Sequence, residues 1–590
     1  MSSASVCRRV RASFFLLAVS ANLCPAAAQQ TPPPPPADLS LRTTTRVVLI
    51  DAVVTDAGSH PVAGLPASDF TVLEDGKPQK IAFFSFESPA QRPATNPPSL
   101  RSDVYTNRPE YHDAEGPLVI LLLDGLNTPP GQQLYVRQQM LSYLSNSRLS
   151  GPGMAVLALG NDLSVLQDFT SNSELLMAAV RNYKSGRTAV DVETPKIDVP
   201  VTTSPGSLPS NVSVPVSNSN DIAAATATST RPLNSFEELA DSLQRFEKRV
   251  AADDQDLRAR ATLAALRLIG RAVSGYSGRK ALIWCSAAFP FNLALDETKD
   301  VEFSKSYRDQ IRQTSALLSD AHVAVYPIDA KGLLSAGSIA DTSAPTRMAK
   351  VTQDAAPSSS LASQTWQQFN TEATMDHLAR DTGGEVFRNT NDLARAVQAA
   401  VADSQSYYVL GYYPEQKKWD GRFHNIKVIT ANKQLSVRAR SGYFAVDPGD
   451  WRKAGDDKSL LSSAGLRTLS ATSILFFAHP VPPVKHGQPT VVEILVDAGT
   501  ISFGSGPDFS YNTNLEFQAG AFTPDGKLER VESQVAQGDL HQDTYQRFLK
   551  SGIPVRIELM LKPGRYLVRV AARDNRNGHI GTLDMPVTVQ

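Results

Sequence analysis

Pro117-Leu-Val-Ile-Leu-Leu-Leu-Asp124-Gly-Leu-Asn-Thr128 is the stretch that decides the fold of this chain. Six consecutive apolar residues, 118–123, lead directly into a carboxylate and a short polar loop. A continuous apolar run of this length is typical of a parallel strand that is buried on both faces. The sequence therefore predicts a buried strand that presents Asp124 at its carboxyl end.

The same alternation of apolar runs and helical patterns continues through residues 117–404. The predicted strands are 118–123, 154–159, 280–285, 322–328 and 385–387. The predicted helices are 132–144, 173–183, 257–273, 307–319, 366–381 and 392–402. Strands that alternate with helices favour a doubly wound, mostly parallel α/β sheet with helices on both faces. Residues 186–231 interrupt the pattern with Ser, Thr, Pro and Asn, which predicts a mobile insertion.

Shorter segments with other patterns lie on both sides of the α/β domain. Residues 44–88 read as a small β module, in which Asp75-Gly76 is a hairpin signal. We expect a linker at 89–116, a β extension of the α/β domain at 405–447, and a C-terminal β-sandwich-like domain at 448–590. The sequence thus predicts β, α/β and β domains in that order.

The first residues have the pattern of an export signal. Residues 1–28 hold Arg8, Arg9 and Arg11, then an apolar run, then Ala26-Ala-Ala28, as secretory signal peptides do. A Pro-rich spacer follows at 29–43. We therefore expect an exported protein in the periplasm, on the outer cell surface or outside the cell. No later apolar run approaches the roughly 20 residues of a membrane span, which predicts a mature chain without a transmembrane segment.

Composition narrows the partners and the chemistry. The chain has 58 basic and 59 acidic residues and a net charge of -1, so nothing favours a nucleic-acid partner. After removal of the signal peptide, Cys285 is the remaining cysteine, within an apolar strand pattern that indicates a buried structural thiol. The nine histidines are spread singly, without a zinc-binding or hydrolase motif.

Several short motifs resemble one family. They are Asp69-Phe-Thr-Val-Leu-Glu-Asp-Gly76, Leu122-Leu-Asp124, Gln167-Asp-Phe-Thr170, Gly278-Arg-Lys-Ala-Leu-Ile-Trp284, Val325-Tyr-Pro-Ile-Asp329 and Tyr408-Val-Leu-Gly-Tyr-Tyr-Pro414. In this order they resemble the VWFA-related domain proteins of the acidobacterial type, and residues 117–404 resemble a von Willebrand factor type A domain. The resemblance implies a metal-ion-dependent adhesion site (MIDAS) at the end of the first strand.

The implied cation site is degenerate in this chain. Carried over by position, Asp124, Thr128 and Thr170 match the family's ligands, whereas Leu126 replaces a hydroxyl and Ala287 replaces an aspartate. The resemblance thus implies at most weakly bound Mg²⁺ or Mn²⁺. Each match also has a structural explanation, because Thr128 and Thr170 stand where helix caps are expected and Asp124 can accept backbone hydrogen bonds.

Two functions remain open. The first is a non-enzymatic binding, adhesion or scaffold protein with a protein or glycan partner at the cell envelope. The second is an exported hydrolase whose active site no motif reveals. Ligands of open α/β sheets bind beyond the carboxyl ends of the strands, which here predicts a rim of residues 125–130, 168–171, 286–290 and 329–333. The predicted contact residues are Leu126, Asn127, Pro129, Ser286 and Phe289, with Phe289 as the aromatic anchor.

Overall fold

The structure is a computed structural model, and its elements follow one another along the chain. It describes residues 47–88, 99–111, 117–146, 153–183, 196–198, 213–215, 236–289, 291, 307–329, 373–388, 393–415, 420–445, 469–483, 485, 487–505 and 510–590. The predicted signal peptide (1–28) and Pro-rich spacer (29–43) lie outside these residues.

The strands and helices have the following bounds. The first twelve strands are β1 (Val48–Thr55), β2 (Phe70–Glu74), β3 (Lys77–Gln79), β4 (Ile81–Glu87), β5 (Tyr105–Thr106), β6 (Leu118–Asp124), β7 (Gly153–Leu159), β8 (Leu163–Thr170), β9 (Lys196–Asp198), β10 (Ser213–Pro215), β11 (Lys280–Ser286) and β12 (Val323–Asp329). The others are β13 (Tyr407–Tyr412), β14 (Phe423–Thr430), β15 (Ser436–Arg438), β16 (Gly442–Phe444), β17 (Phe476–Val481), β18 (Thr490–Val496), β19 (Gly504–Ser505), β20 (Tyr511–Phe522), β21 (Leu528–Leu540), β22 (Ile553–Leu559), β23 (Gly564–Asp574) and β24 (Ile580–Val589). The α-helices are α1 (Pro130–Asn146), α2 (Ser173–Asn182), α3 (Phe236–Val273), α4 (Arg308–Asp320), α5 (residues 373–382), α6 (Leu393–Gln405) and α7 (Gln542–Ser551).

The central sheet of the α/β domain has the strand order β12-β11-β6-β7-β8. The pairs β12-β11, β11-β6 and β6-β7 are parallel, whereas β8 is antiparallel to β7. Every residue of β6, β7 and β11 is buried, as the unbroken apolar runs predicted. The predicted α/β class with a mainly parallel sheet is confirmed.

Helices cover both faces of this sheet because successive side chains of a strand point to opposite sides. Val119, Leu121 and Leu123 of β6 belong to a core shared with α1, α2 and α6. Leu118, Ile120 and Leu122 belong to a second core shared with α3, α4 and α5. Alternate residues of β6 therefore pack into two different cores, one on each face of the sheet.

Strand β8 was not predicted, and it changes one edge of the sheet. β7 ends at Leu159 and β8 begins at Leu163, so residues 160–162 form a short hairpin loop. A connection this short cannot return to the other end of the sheet, as a parallel strand requires. Residues 168–171 consequently lie at the amino edge, not at the carboxyl rim where the sequence analysis placed them.

The small β module and the β extension pair with each other to form two sheets. β13 lies between β1 and β4, and β1 also pairs with β15. β14 lies between β2 and β16, and β3 completes that sheet. A shared core includes Ile50, Val72, Tyr408 and Val428. Segments 44–88 and 405–447, which we predicted as separate parts, therefore pack together as one unit. In sequence, one of them precedes the α/β domain and the other follows it.

The C-terminal region forms two sheets that share a core. One has the order β22-β18-β17-β5, and the other contains β19, β20, β23 and β24, with β21 paired to β20. Their core is built around residues such as Phe476, Ile494, Phe517 and Val570. β5 comes from the segment predicted as a linker, so residues 105–106 are a strand of this sandwich.

The predicted insertion is described only in part. Within 186–231 the described residues are β9 and β10, which pair antiparallel to each other. The remainder of the insertion and residues 290 and 330–333 of the predicted rim lie outside the described residues. No helix in the described parts of the chain is long and apolar enough to cross a membrane.

Candidate functional site

The candidate site lies where the strand order of the sheet reverses. From β6 the chain moves to β7 on one side, and later it enters β11 on the other side of β6. Open α/β sheets form their ligand crevice at such a switch point, outside the carboxyl ends of the strands. Asp124 ends β6 and Ser286 ends β11, so both residues lie at this carboxyl edge of the sheet.

Asp124 is buried and accepts hydrogen bonds on both carboxylate oxygens. Its Oδ2 accepts from Ser286 Oγ at 2.8 Å, from Asn127 Nδ2 at 2.9 Å and from Trp284 Nε1 at 3.0 Å. Its Oδ1 accepts from the backbone N–H of Asn127 at 2.9 Å and from Asn127 Nδ2 at 3.1 Å. Neutral donors of the protein therefore surround this carboxylate.

The local sequence explains how these donors reach Asp124. Asn127 follows three residues after Asp124 in the turn that leaves β6, so its backbone and its amide both face the carboxylate. Trp284 and Ser286 lie two residues apart on β11 and therefore project from the same face of that strand. Helix α3 adds Thr262, whose Oγ1 accepts from Asn127 Nδ2 at 3.0 Å.

Burial dominates the electrostatics of the crevice. It raises the pKa of Asp124 even though Asn127, Ser286 and Trp284 donate hydrogen bonds that favour the charged form. Burial, together with the charge of Asp124, also raises the pKa of the Cys285 thiol to about 12. Cys285 is thus a protonated core thiol at neutral pH, as predicted, and a poor nucleophile.

Thr128 links the loop after β6 to the loop after β11. Its Oγ1 accepts from the backbone N–H of Ala287 at 3.1 Å, and the residue is buried. The Nε2 of Gln133 in α1 donates to the carbonyl oxygens of Gly125 at 3.0 Å and Thr128 at 2.6 Å. Thr128 therefore holds two loops together in this arrangement.

Thr170 lies far from Asp124, so the prediction that they share a site is wrong. Thr170 pairs with Met154 at the start of β7, whereas Asp124 pairs with Leu159 at its end. Met154 and Leu159 are five residues apart along β7, which corresponds to about 16 Å. The Oγ1 of Thr170 accepts the backbone N–H of Asn172, and Asn172 itself caps α2.

The residues present do not fit a divalent cation at Asp124. A hard cation takes about six oxygen ligands, but the carboxylate here receives N–H and O–H donors instead. The indole of Trp284 can only donate, Leu126 is packed into the core, and Ala287 offers no oxygen from its side chain. A cation would have to displace the donors that already stabilise Asp124.

Most of the predicted contact residues are buried. Leu126, Asn127 and Ser286 are buried, and of the five predicted residues only Pro129 is exposed. Phe289, the predicted anchor, is 4% exposed, and its ring packs edge-on against Trp284 at 4.5 Å between centroids. The prediction that Phe289 is an accessible anchor is wrong, because it fills the core beneath the loop after β11.

The accessible part of this edge is the start of α1. Pro129, Pro130 and Gly131 are exposed, and Leu134 one turn later is 50% exposed. A cavity of about 70 Å³ opens beside them, and Asp124, Arg137 and Tyr183 are among the residues that line it. The exposed surface at this edge is therefore apolar, with the guanidinium of Arg137 nearby.

Two groups of the site were not predicted from the sequence. Trp284 was assigned only to a strand, although an indole two residues before Ser286 in a buried strand needs a hydrogen-bond acceptor. Gln133 and Thr262 lie on helices and carry no motif that signals their contacts. Their roles depend on how α1 and α3 pack against the sheet.

Comparisons with known proteins give similar solved structures but no match by sequence. No family model and no curated protein matches the chain. Similar solved structures include an aerotolerance-related membrane protein from Bacteroides fragilis, with 11% identity over 48% of this chain and 98% of the other, at a TM-score of 0.24. They also include BatB, a conserved hypothetical protein from Bacteroides thetaiotaomicron, with 11% identity over 49% of this chain and 98% of the other, at a TM-score of 0.21.

A third similar structure is proximal thread matrix protein 1 of the mussel byssus, described with a zinc-occupied MIDAS motif. Its identity is 8% over 51% of this chain and 48% of the other, at a TM-score of 0.20. At TM-scores this low, these three similarities carry no argument about the family or the function of the present chain.

Proposed function

We propose that this chain is an exported, non-enzymatic binding or scaffold protein whose recognition does not depend on a cation. Its partner is a protein or a glycan of the cell envelope. The family's metal site persists as a structural hydrogen-bond network, and the partner contacts the exposed start of α1. Export follows from the signal pattern of residues 1–28.

One observation supports this proposal above the others. Both oxygens of Asp124 accept hydrogen bonds from Asn127, and Oδ2 also accepts from Trp284 and Ser286. A carboxylate satisfied in this way neither calls for a cation nor acts as an accessible base. The network instead fixes the loops on either side of the crevice.

The side chains at the crevice also favour binding over hydrolysis. The hydroxyl of Ser286 is buried, and its one proton lies between two acceptors, Asp124 Oδ2 at 2.8 Å and the carbonyl oxygen of Ala288 at 2.7 Å. The thiol of Cys285 is buried, and its pKa is raised to about 12. These two nucleophile candidates are therefore closed to a substrate.

The contact surface is defined by its exposed apolar groups. Pro129, Pro130 and Leu134 lie next to one another at the beginning of α1, beside Arg137. Rigid prolines lose little conformational entropy on binding, and a central apolar side chain often dominates binding energy. Leu134, which is half exposed, is the residue most suited to that role.

The test compares capture of envelope components by the immobilised full chain in Mg²⁺ and in EDTA. The proposal expects the same components in both buffers. It also expects Leu134→Arg to weaken capture by at least about tenfold, since the charge would have to be buried at the contact. Met560→Arg in the C-terminal sandwich is the matched control, because Met560 is 54% exposed and Leu134 is 50% exposed.

Two results would contradict this function. Capture that EDTA abolishes would require a cation in the contact. Catalytic turnover in a hydrolase screen, lost on substitution of a residue at this edge, would favour the enzyme instead.

A further inference from the structure

A second group of ionisable side chains lies in the unit formed by the N-terminal β module and the β extension. Asp75 Oδ2 lies 2.8 Å from His424 Nδ1, and Glu74 Oε1 lies 3.6 Å from the same nitrogen. On the other side of the ring, Asp420 Oδ1 lies 3.3 Å from Nε2. Glu74, Asp75, Asp420 and His424 are called the His424 cluster below.

The backbone fixes the positions of these side chains. Asp75 and Gly76 form the β2-β3 turn with φ values of 48° and 82°, the left-handed conformation that such hairpin turns require. The backbone N–H of Asp75 donates to Asn425 O, and the backbone N–H of Asn425 donates to Asp75 Oδ1, each at 2.9 Å. β2 and β14 are thus locked together at the cluster.

Glu74 is a buried carboxylate with one oxygen that accepts no hydrogen bond. The residue is 7% exposed, and its Oε1 accepts from the Tyr443 hydroxyl at 2.8 Å, but its Oε2 is buried without a hydrogen-bond partner. Burial, the charge of Glu74 and a hydrogen-bonding interaction with Glu74 raise the pKa of Tyr412, so the Tyr412 hydroxyl also lies close to this carboxylate. Buried charged groups of this kind are normally paired or bound to a metal.

The charges of the cluster do not balance. Three carboxylates face one imidazole, and Arg422 acts on Asp420. Even with a protonated imidazole, three negative charges meet two positive ones. A divalent cation at the imidazole nitrogen would compensate the excess.

We propose that Glu74, Asp75 and His424 form a binding site for a divalent transition-metal cation of the zinc type. One ligand atom from each residue falls within 4.8 Å of the others. Ligands of a tetrahedral Zn²⁺ stand about 3.4 Å apart, given metal–ligand distances of about 2.1 Å. Glu74 Oε1, at 3.6 Å from His424 Nδ1, already has this spacing, and Asp75 Oδ2, at 2.8 Å, needs to withdraw by about 0.6 Å.

The surroundings match those of known metal ligands. A metal-bound histidine usually donates its other ring N–H to a carboxylate, and Asp420 occupies that position at Nε2. Tyr443 supports Glu74 by its hydroxyl and stacks on the imidazole at 5.4 Å between ring centroids. The side chain of Asp75 is 44% exposed, so the fourth position faces solvent and accepts water or a partner's ligand.

The test titrates the full chain, free of histidine tags and stripped of metals, with ZnCl₂ in a calorimeter. The proposal expects one saturable Zn²⁺ per chain at micromolar concentrations. Asp75→Asn, Glu74→Gln and His424→Gln are each expected to weaken binding at least about tenfold, and Asp420→Asn by about tenfold through the outer hydrogen bond. X-ray absorption of the loaded chain should show only nitrogen and oxygen ligands at about 2.1 Å.

His322→Gln is the matched control, because His322 Nδ1 also lies 2.8 Å from a carboxylate, that of Asp51. It should bind Zn²⁺ as the parent chain does. Should Glu74→Gln fail to fold, Asp75→Asn on the half-exposed turn still decides the matter. The proposal is overturned if the parent chain binds no Zn²⁺, in which case a proton alone bridges the cluster, or if binding survives both Asp75→Asn and His424→Gln.

Discussion

The indole of Trp284 donates its Nε1–H to Oδ2 of Asp124 across 3.0 Å, from one strand of the sheet to its neighbour. Both residues are buried. A hydrogen bond to a charged acceptor in this setting contributes more than one between neutral groups. Trp284 thus stabilises the charged form of Asp124 by a donor from the protein itself.

Trp284→Phe is expected to lower the free energy of unfolding by about 2–4 kcal/mol, since it removes a donor and leaves a cavity. Equilibrium unfolding in urea measures this loss. A double-mutant cycle with Asp124→Asn should show a coupling of at least about 0.5 kcal/mol. Additive effects of the two substitutions would contradict a direct role of Trp284 at Asp124.

The contact between the α/β domain and the C-terminal sandwich predicts a strong effect at Gly275. A Cβ there would lie 2.2 Å from the carbonyl carbon and oxygen of Thr472. Gly275→Ala should therefore separate the two surfaces and destabilise the chain by about 1–3 kcal/mol, measured by thermal unfolding.

Gly131→Ala is the control for Gly275→Ala. No atom lies within 4 Å of a Cβ at Gly131, which is in the first turn of α1. Alanine there should leave stability unchanged or raise it by up to about 1 kcal/mol. Equal losses for the two variants would mean that close packing at Thr472 is not the cause.

The contact between Asp51 of β1 and His322 before β12 predicts a pH dependence. Burial opposes ionisation of Asp51, but the hydrogen bond and charge of His322, together with the charges of Arg279 and Lys280, outweigh it and hold the pKa of Asp51 below its usual value. A carboxyl with a lowered folded-state pKa stabilises the protein above its unfolded-state pKa of about 3.9. This stabilisation is lost as the pH falls through the lower, folded-state pKa.

Asp51→Asn should consequently cost most stability at neutral pH, and its cost should shrink below about pH 4. Urea midpoints at several pH values measure the difference from the parent chain. Asp162→Asn, on the exposed β7-β8 loop, should be neutral throughout. A cost of Asp51→Asn that stays constant down to the lowest pH would contradict the role of its charge.

The sequence predicted the centre of the α/β domain well. The run that forms β6 is apolar at every position because both faces of the strand are covered, and this is visible without any partner. Asp124 at its end follows directly from that assignment. The loop of residues 160–162 also held enough information to predict an antiparallel β8, since a parallel return needs a longer connection.

Other features depend on contacts between distant parts of the chain. The pairing of β1 with β13 joins Val48 to Tyr412, and no local pattern indicates such a partner. Phe289 follows a strand in a loop, so its position in sequence did not show that its ring would pack against Trp284. Burial in loops is decided by the packing of the whole domain and not by the local sequence.

The most direct test of the central claim is a titration of Mg²⁺ into the chain that carries His424→Gln, which removes the proposed zinc-type site. Asp124 already receives its hydrogen bonds from Asn127, Trp284 and Ser286. We therefore predict no saturable Mg²⁺ binding by calorimetry up to millimolar concentrations. Saturable binding with a micromolar dissociation constant that Asp124→Asn abolishes would contradict the account.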